Sequence, residues 1–288
     1  MRLILWLALS LALAVVPITG LAVRATSTPQ QQSSAQATPS APATSATSSK
    51  VWVGRYAEYE EFLRTVEIDQ LANPKVGKTG GTKFASFKPG GLAARGALRT
   101  LRPGRYDNYF ESYKSEVAAY KLDRLLELDM VPPAVERRYK GDPVSLQLFA
   151  ENATMLKEVN EKKLHAPDPG RWNYQLHRAY IFDDLVANID ENEGNLMFDP
   201  QWNFIKIDCS RCFTNMLVQP FEIGKKLNQI DRPFFDRVKA LDDATVKREI
   251  GDFVEAGAVN ALFRRRDAIV KAFEKLAAQK GANQVFIP

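Results

Sequence analysis

This 288-residue chain has only two histidines and two cysteines, the side chains most often recruited for soft metals and nucleophilic catalysis. His165 lies in a Pro-rich loop and His177 on an expected helix, too few for a His-rich metal site. No Gly-x-Ser-x-Gly elbow occurs, so a serine-hydrolase triad lacks its usual support. Cys209 and Cys212 form a single Cys-x-x-Cys, but no thioredoxin-like βαβ pattern surrounds it, which argues against a thiol-disulfide oxidoreductase. A Gly-x-Gly-x-x-Gly phosphate loop is also missing. Charge is nearly balanced: the formal excess is +5, and it shrinks further once Arg2 and Arg24 are set aside, so nothing points to nucleic acid. No internal repeat is visible.

The long apolar run stands at the start. Met1 and Arg2 precede Leu3 to Val16, followed by Pro17 and small residues up to Ala25, the tripartite form of a secretory signal spanning residues 1–25. Cleavage after Ala22 or Ala25 fits this form. An uncleaved anchor competes with it, because weak apolar character continues to Val23. The absence of a cysteine after the run argues against a lipoprotein anchor. Residues 26–50 are Thr, Ser, Pro, Gln and Ala with one charge at Lys50, a composition that cannot bury a core and reads as a disordered tether. Export to a periplasmic, extracellular or membrane-tethered location is expected, with the globular part beginning near Val51.

The densest cluster of polar oxygen ligands lies between 183 and 212. Leu196 to Phe198, the turn cluster Asp199-Pro200-Gln201-Trp202, and Phe204 to Ile207 predict a hairpin. Pairing Phe198 with Ile205 would place Leu196, Phe198, Ile205 and Ile207 on one apolar face. It would also set Asn195 opposite Asp208, where two oxygens could share a cation. Asp190 stands five residues before Asn195, with Gly194 allowing a tight bend between them. An Asp, an Asn five residues on, and a hairpin ending in a second Asp is the arrangement protein kinases use for a catalytic base and two magnesium ligands. A plain surface hairpin with polar ends is the competing reading.

Upstream, Val51 to Leu71 predicts a short helix leading into strands, and Lys83 to Pro89 predicts a strand. Lys88 is the candidate for the phosphate-binding lysine, with Lys83 second. Residues 90–109 are rich in Gly and Arg, including Arg95, Arg99, Arg102 and Arg105, and read chiefly as a solvated loop. A helix is expected from Ser112, with Glu116 beside its apolar stripe and in reach of Lys88. Strands are expected at Ala134 to Tyr139 and Val144 to Phe149, the second leading into a connector at Ala150 to Ala153. Helices follow at Trp172 to Val186, Phe221 to Leu227, Arg232 to Ala240, Asp243 to Ala256 and Val259 to Gln279. On the last, Arg264, Arg265 and Arg266 read as a largely outer face.

Six short motifs occur in order: Phe87-Lys88-Pro89; Ser115-Glu116 through Asp123; Asp129-Met130-Val131-Pro132-Pro133; Ser145-Leu146-Gln147; Asn188-Ile189-Asp190 with Gly194-Asn195; and Ile207-Asp208. Together they resemble a bacterial atypical-kinase-like family, related to the toxin kinase HipA, phosphatidylinositol 3- and 4-kinase catalytic domains and the Golgi casein kinase type of secretory-pathway kinases. The resemblance covers nearly all of residues 70–280. It implies an α+β, bilobal protein-kinase-like fold, with a β-rich small lobe carrying one helix (51–150) and a larger, mainly helical lobe (151–288).

By that resemblance Lys88 would contact phosphates, Glu116 would pair with it, Asp190 would be the catalytic base, and Asn195 and Asp208 would bind Mg2+. Gln147, Leu148 and Phe149 would border the adenine of ATP, and a segment near Asn73 to Gly81 would cover the phosphates. The implied activity is transfer of the terminal phosphoryl group to a hydroxyl on a protein, lipid or sugar. Glu191, where relatives often carry Arg, adds negative charge beside the base. That favours the alternative of a pseudokinase acting as a nucleotide-binding or scaffold module at the cell envelope. In an oxidising compartment Cys209 and Cys212 would be able to close a disulfide beside Asp208.

Overall fold

The computed structural model describes residues 48–74, 81–106, 109–215 and 223–288. The expected signal, most of the tether and the core of the expected phosphate-covering segment lie outside these. The described residues belong to one compact unit, Ser45–Pro288. None of its helices is long and apolar enough to cross a membrane.

Helix α1 (Tyr56–Thr65) leads into β1 (Ile68–Ala72), β2 (Thr82–Phe87) and β3 (Arg95–Arg99). A small hairpin, β4 (Gly104–Tyr106) and β5 (Tyr109–Glu111), then precedes α2 (Tyr113–Leu125). Ser112 caps α2 by accepting the Lys114 N–H, satisfying one of the donors that a helix start leaves open. Strands β6 (Ala134–Tyr139) and β7 (Asp142–Leu148) complete a five-stranded antiparallel sheet of order β1-β2-β3-β7-β6.

Alternation divides this sheet into two unlike faces. Ala85, Phe87, Leu98, Val135, Leu146 and Leu148 pack with Trp52, Tyr59 and Leu63 into one apolar core, with α1 on the outside. The register Thr82↔Arg99↔Ser145 and Phe84↔Ala97↔Gln147 sets a more polar opposite face, which receives α2. Residues 90–109, expected as a loop, therefore contain a central strand and a hairpin. The glycines and arginines that obscured β3 have positions in it: a Cβ on Gly96 would come within 3.0 Å of the Gln147 carbonyl on the next strand.

Beyond the sheet come β8 (Thr154–Met155), α3 (Leu156–Glu161), α4 (Pro169–Val186), β9 (Leu196–Phe198) and β10 (Phe204–Lys206). They are followed by β11 (Ile230–Asp231), α5 (Arg232–Ala240), α6 (Asp243–Ile250), α7 (Ala256–Lys280), α8 (Ala282–Val285) and β12 (Phe286–Ile287). The second core joins α2, α4, α5, α6 and α7 through residues such as Leu122, Phe182, Phe234, Ile250 and Phe273. Together the sheet-based and helix-based cores give the bilobal, kinase-like α+β architecture. Two expectations fail here. The described part of Phe221–Leu227 is a turn closed by a bridge from Ile223 to Leu227, and Arg265 is buried. Its guanidinium donates to the carbonyls of Leu185 and Thr214, so it ties α7 to the end of α4 instead of facing water.

Hairpin β9–β10 forms one residue away from the expected register: Phe198 pairs with Phe204, Met197 with Ile205 and Leu196 with Lys206. Leu196, Phe198 and Phe204 face the helical core, while Met197 and Ile205 face the sheet core. With both faces buried, polar alternation could not reveal the register. A single shift of this kind exchanges every side chain between faces. It buries Lys206 in the helical lobe, where its ammonium meets Asp183 at 2.8 Å and Glu191.

Candidate active site

Helix α4 ends at Ala187, whose φ of 51° lies in the left-handed region, and the chain turns there into the loop 188–195. Asparagine side chains brace this loop. Asn188 donates to Asp183 (2.9 Å) and Glu191 (3.1 Å) and accepts the Asp190 N–H. Asn192 donates to the Asp190 carbonyl and accepts the Gly194 N–H. Gly194 is not in the left-handed region; its requirement is close approach, since a Cβ would meet the Asn192 Oδ1 at 2.9 Å. The buried Asn195 amide donates to the Asp190 carbonyl at 3.1 Å, which fixes the base candidate and the metal-ligand candidate relative to each other.

Asn195 pairs across the hairpin base with Ile207, whose N–H donates to the Asn195 carbonyl at 3.0 Å. Asp208, the next residue, takes a φ of 62°, a conformation costing roughly 1–3 kcal/mol for a side-chain-bearing residue. Two features hold it there. The Ser210 hydroxyl donates to its carboxylate at 3.1 Å, and a disulfide joins Cys209 to Cys212 around the following turn.

The lysine expectation is corrected. Lys88 lies just past the end of β2, exposed, and pairs with Glu67 at 2.7 Å. The cation that meets Glu116 and Asp208 is Arg99, at the end of β3. Its guanidinium lies 2.9 Å from Glu116 and 3.1 Å from Asp208, and it donates to Thr82. Arg99 and Glu116 are both buried. The second contact on Glu116 is the Cys209 N–H, donating at 3.0 Å. Strand, helix and hairpin end therefore converge as Arg99, Glu116 and Asp208. Arg99 is hidden in the sequence because it stands in a Gly- and Arg-rich segment and is not the lysine that the motif leads one to expect. The available signal was Ala97-Leu98-Arg99, an alternating strand end directly before the glutamate helix, in the place where kinases carry Ala-x-Lys.

Burial raises the Glu116 carboxyl, and the nearby Asp208 charge adds to this while Arg99 opposes it; the net direction is up. For Asp208 burial also pushes up, but Arg99 and the Ser210 hydrogen bonds outweigh it and hold the carboxyl below its ordinary range. Glu191 does not add charge at the base: it folds under the loop onto Lys206. Burial, reinforced by Asp183, pushes its carboxyl up to about 8.

On the other side of Asp190, Arg211 approaches its carboxylate at 3.1 Å and donates to the buried Glu111 at 2.9 Å. Of the residues expected to border adenine, Gln147 and Phe149 lie on the face carrying Arg99, whereas Leu148 points into the outer core, as alternation requires. The Leu148 and Phe149 amides already donate to the Pro133 and Arg95 carbonyls.

Glu116 Oε2 is buried without a hydrogen-bond partner. Asp208 and Asn195 are hard oxygen donors of the kind Mg2+ prefers, though among the described residues no group of three or more His, Cys, Asp or Glu side chains is placed to hold a metal ion. Two such donors fall short of octahedral coordination, which phosphates and water complete in nucleotide sites.

No family model matches the chain, and a comparison with curated proteins finds no match. Its fold does match solved structures. A hydra Fam20 determined with sugar is 14% identical with a TM-score of 0.62, over 81% of this chain and 92% of that one. The Golgi casein kinase is 14% identical with a TM-score of 0.60, over 80% and 78%, and its Mn/ADP-bound structure matches equally, over 81% and 78%.

Proposed function

We propose that the chain is an exported, metal-dependent phosphotransferase that moves the terminal phosphoryl group of ATP to a hydroxyl acceptor. One observation carries this reading: the contacts of Glu116, Arg99 and Asp208, drawn from helix, sheet and hairpin, end beside the loop that holds Asp190 and Asn195. The likeness to a kinase fold whose relative was solved with Mn/ADP supports it.

Bound Mg2+ and ATP would supply the activated phosphoryl group and neutralise its charge. Asn195 and Asp208 would hold the cation. Arg99 would supply positive charge to the phosphates and Glu116 would orient it. Gln147 and Phe149 would border the base. Asp190 would accept the acceptor hydroxyl's proton, within reach of solvent and of an incoming substrate. Positioning and fixed charge supply most of the catalysis in this class.

A second reading, a nucleotide-binding pseudokinase at the cell envelope, is favoured by one feature. Arg99 stands where kinases use lysine and already contacts both carboxylates; its planar fork does not replace a lysine's point charge interchangeably. Incubating an envelope extract with ATP labelled at the terminal phosphate separates the two. Phosphotransfer predicts labelled acceptors with wild type and none with Asp190→Ala, whereas the pseudokinase predicts equal labelling.

A further inference from the structure

The same turn that presents Asp208 also presents Arg211. The Arg211 guanidinium does two things at once. One nitrogen reaches the Asp190 carboxylate at 3.1 Å, while two others hold a single oxygen of Glu111, Nε at 2.9 Å. Its planar group also lies over the Tyr109 ring, 4.6 Å from the centroid. Glu111 is buried and Asp190 is half exposed. The arginine is therefore anchored at its protected end and meets Asp190 at its open end. The anchor belongs to β5, on the hairpin inserted between β3 and α2. Around the turn, the Ser112 N–H donates to the Ser210 carbonyl at 2.9 Å, and the Ser115 hydroxyl contacts the Cys212 carbonyl. The Cys209–Cys212 disulfide encloses Arg211 within this short segment.

Asp190 needs such a partner. Its backbone is fixed by Asn188, Asn192 and Asn195, but Arg211 supplies the ion pair that orients its carboxylate. A base that is free to rotate would be misplaced for most encounters, and small misplacements of reacting groups are costly in rate.

We infer that Arg211 is a positioning residue: braced by Glu111 and Tyr109, it sets the rotamer of the Asp190 carboxylate. This rests on the phosphotransferase reading. It deepens that reading by assigning a role to the β4–β5 insertion and to the disulfide-closed turn.

The test is steady-state turnover of Mg·ATP by the full chain, with kcat and nucleotide KM determined separately. Arg211→Ala should lower kcat about 100-fold while leaving KM for the nucleotide within about threefold. Arg211→Lys should recover part of kcat, because a point charge can reach Asp190 without making the fork to Glu111. Glu111→Gln contacts nothing that reacts. It should lower kcat in the same sense and add little in the Arg211→Ala background, since the two act through one group. A kcat within twofold of wild type in both Arg211→Ala and Glu111→Gln overturns the inference. A raised KM with unchanged kcat also overturns it, by making Arg211 a nucleotide ligand. If Arg211→Ala does not fold, Arg211→Lys and Glu111→Gln decide by the same split. No turnover by wild type would remove the phosphotransferase reading itself, and this assignment with it; normal turnover with an indifferent Arg211 removes only the assignment.

Discussion

Arg99 is the residue on which the cleft's charge balance depends. Burial forces Glu116 and Asp208 to find a cation, and Arg99 meets both. Arg99→Ala leaves a buried carboxylate uncompensated and should cost about 3–5 kcal/mol in denaturant unfolding. Lys88→Ala removes only an exposed pair with Glu67 and should leave unfolding unchanged. The reverse ranking would return the cleft cation to Lys88.

A second buried carboxylate gives a pH test. Burial raises the Asp123 carboxyl from about 4 to about 7, against hydrogen bonding from the Met130 N–H and the attraction of Lys50, with Asp129 adding to the rise. At pH below about 4 folded and unfolded chains both carry the proton, and the group's stabilising contribution is complete. Between about pH 4 and 7 the unfolded chain releases it first, so this contribution falls as pH rises. Asp123→Asn should flatten the stability profile across that window by roughly 1 kcal/mol per pH unit. An unchanged slope in chemical denaturation would contradict the assignment.

At this scale the sequence named Asp190, Asn195, Asp208 and Glu116, and the fold brings them near one another through the Asn195–Asp190 hydrogen bond, the Ile207–Asn195 backbone bond and the contacts of Arg99 with Glu116 and Asp208. Arg99 and Arg211 were not legible: an arginine's partner is a matter of tertiary position, and both sit in segments whose composition resembles solvated loop.

Among the elements, hairpin β9–β10 links the two cores. Its existence and approximate span could be read from the apolar runs on either side of the Asp199-Pro200 turn. Its register could not. Leu196, Met197, Phe198, Phe204 and Ile205 are apolar on both faces, and the deciding feature, the five-residue loop closed by Asp199 and Asn203, is a matter of backbone geometry. The helices α2, α4 and α7 were legible because each keeps a one-sided or broad apolar stripe over many turns. Strand β3 was hidden by its glycine and two arginines.

The disulfide-closed turn after β10 carries a prediction of its own. A loop this short gives a modest entropic gain, so replacing both cysteines with alanine should lower unfolding stability by about 2 kcal/mol. Because the turn supplies the Cys209 N–H to Glu116 and holds Asp208 in its left-handed conformation, the same variant should weaken nucleotide binding. Equal affinity in the double variant and wild type would leave the disulfide a purely structural staple.

At the scale of the molecule, a sheet lobe and a helical lobe meet at a hairpin that belongs to both cores. The cleft residues arrive from β3, α2, the loop after α4 and the end of β10. On the function proposed above, that convergence is the site for a nucleotide with its metal, whichever acceptor it serves. Thermal unfolding of the full chain with saturating Mg·ATP tests this most directly. At 100 times the dissociation constant, wild type and Lys88→Ala should each gain about 2.7 kcal/mol, and Asp208→Ala should gain nothing. No stabilisation of wild type, or equal stabilisation of Asp208→Ala, would contradict the account.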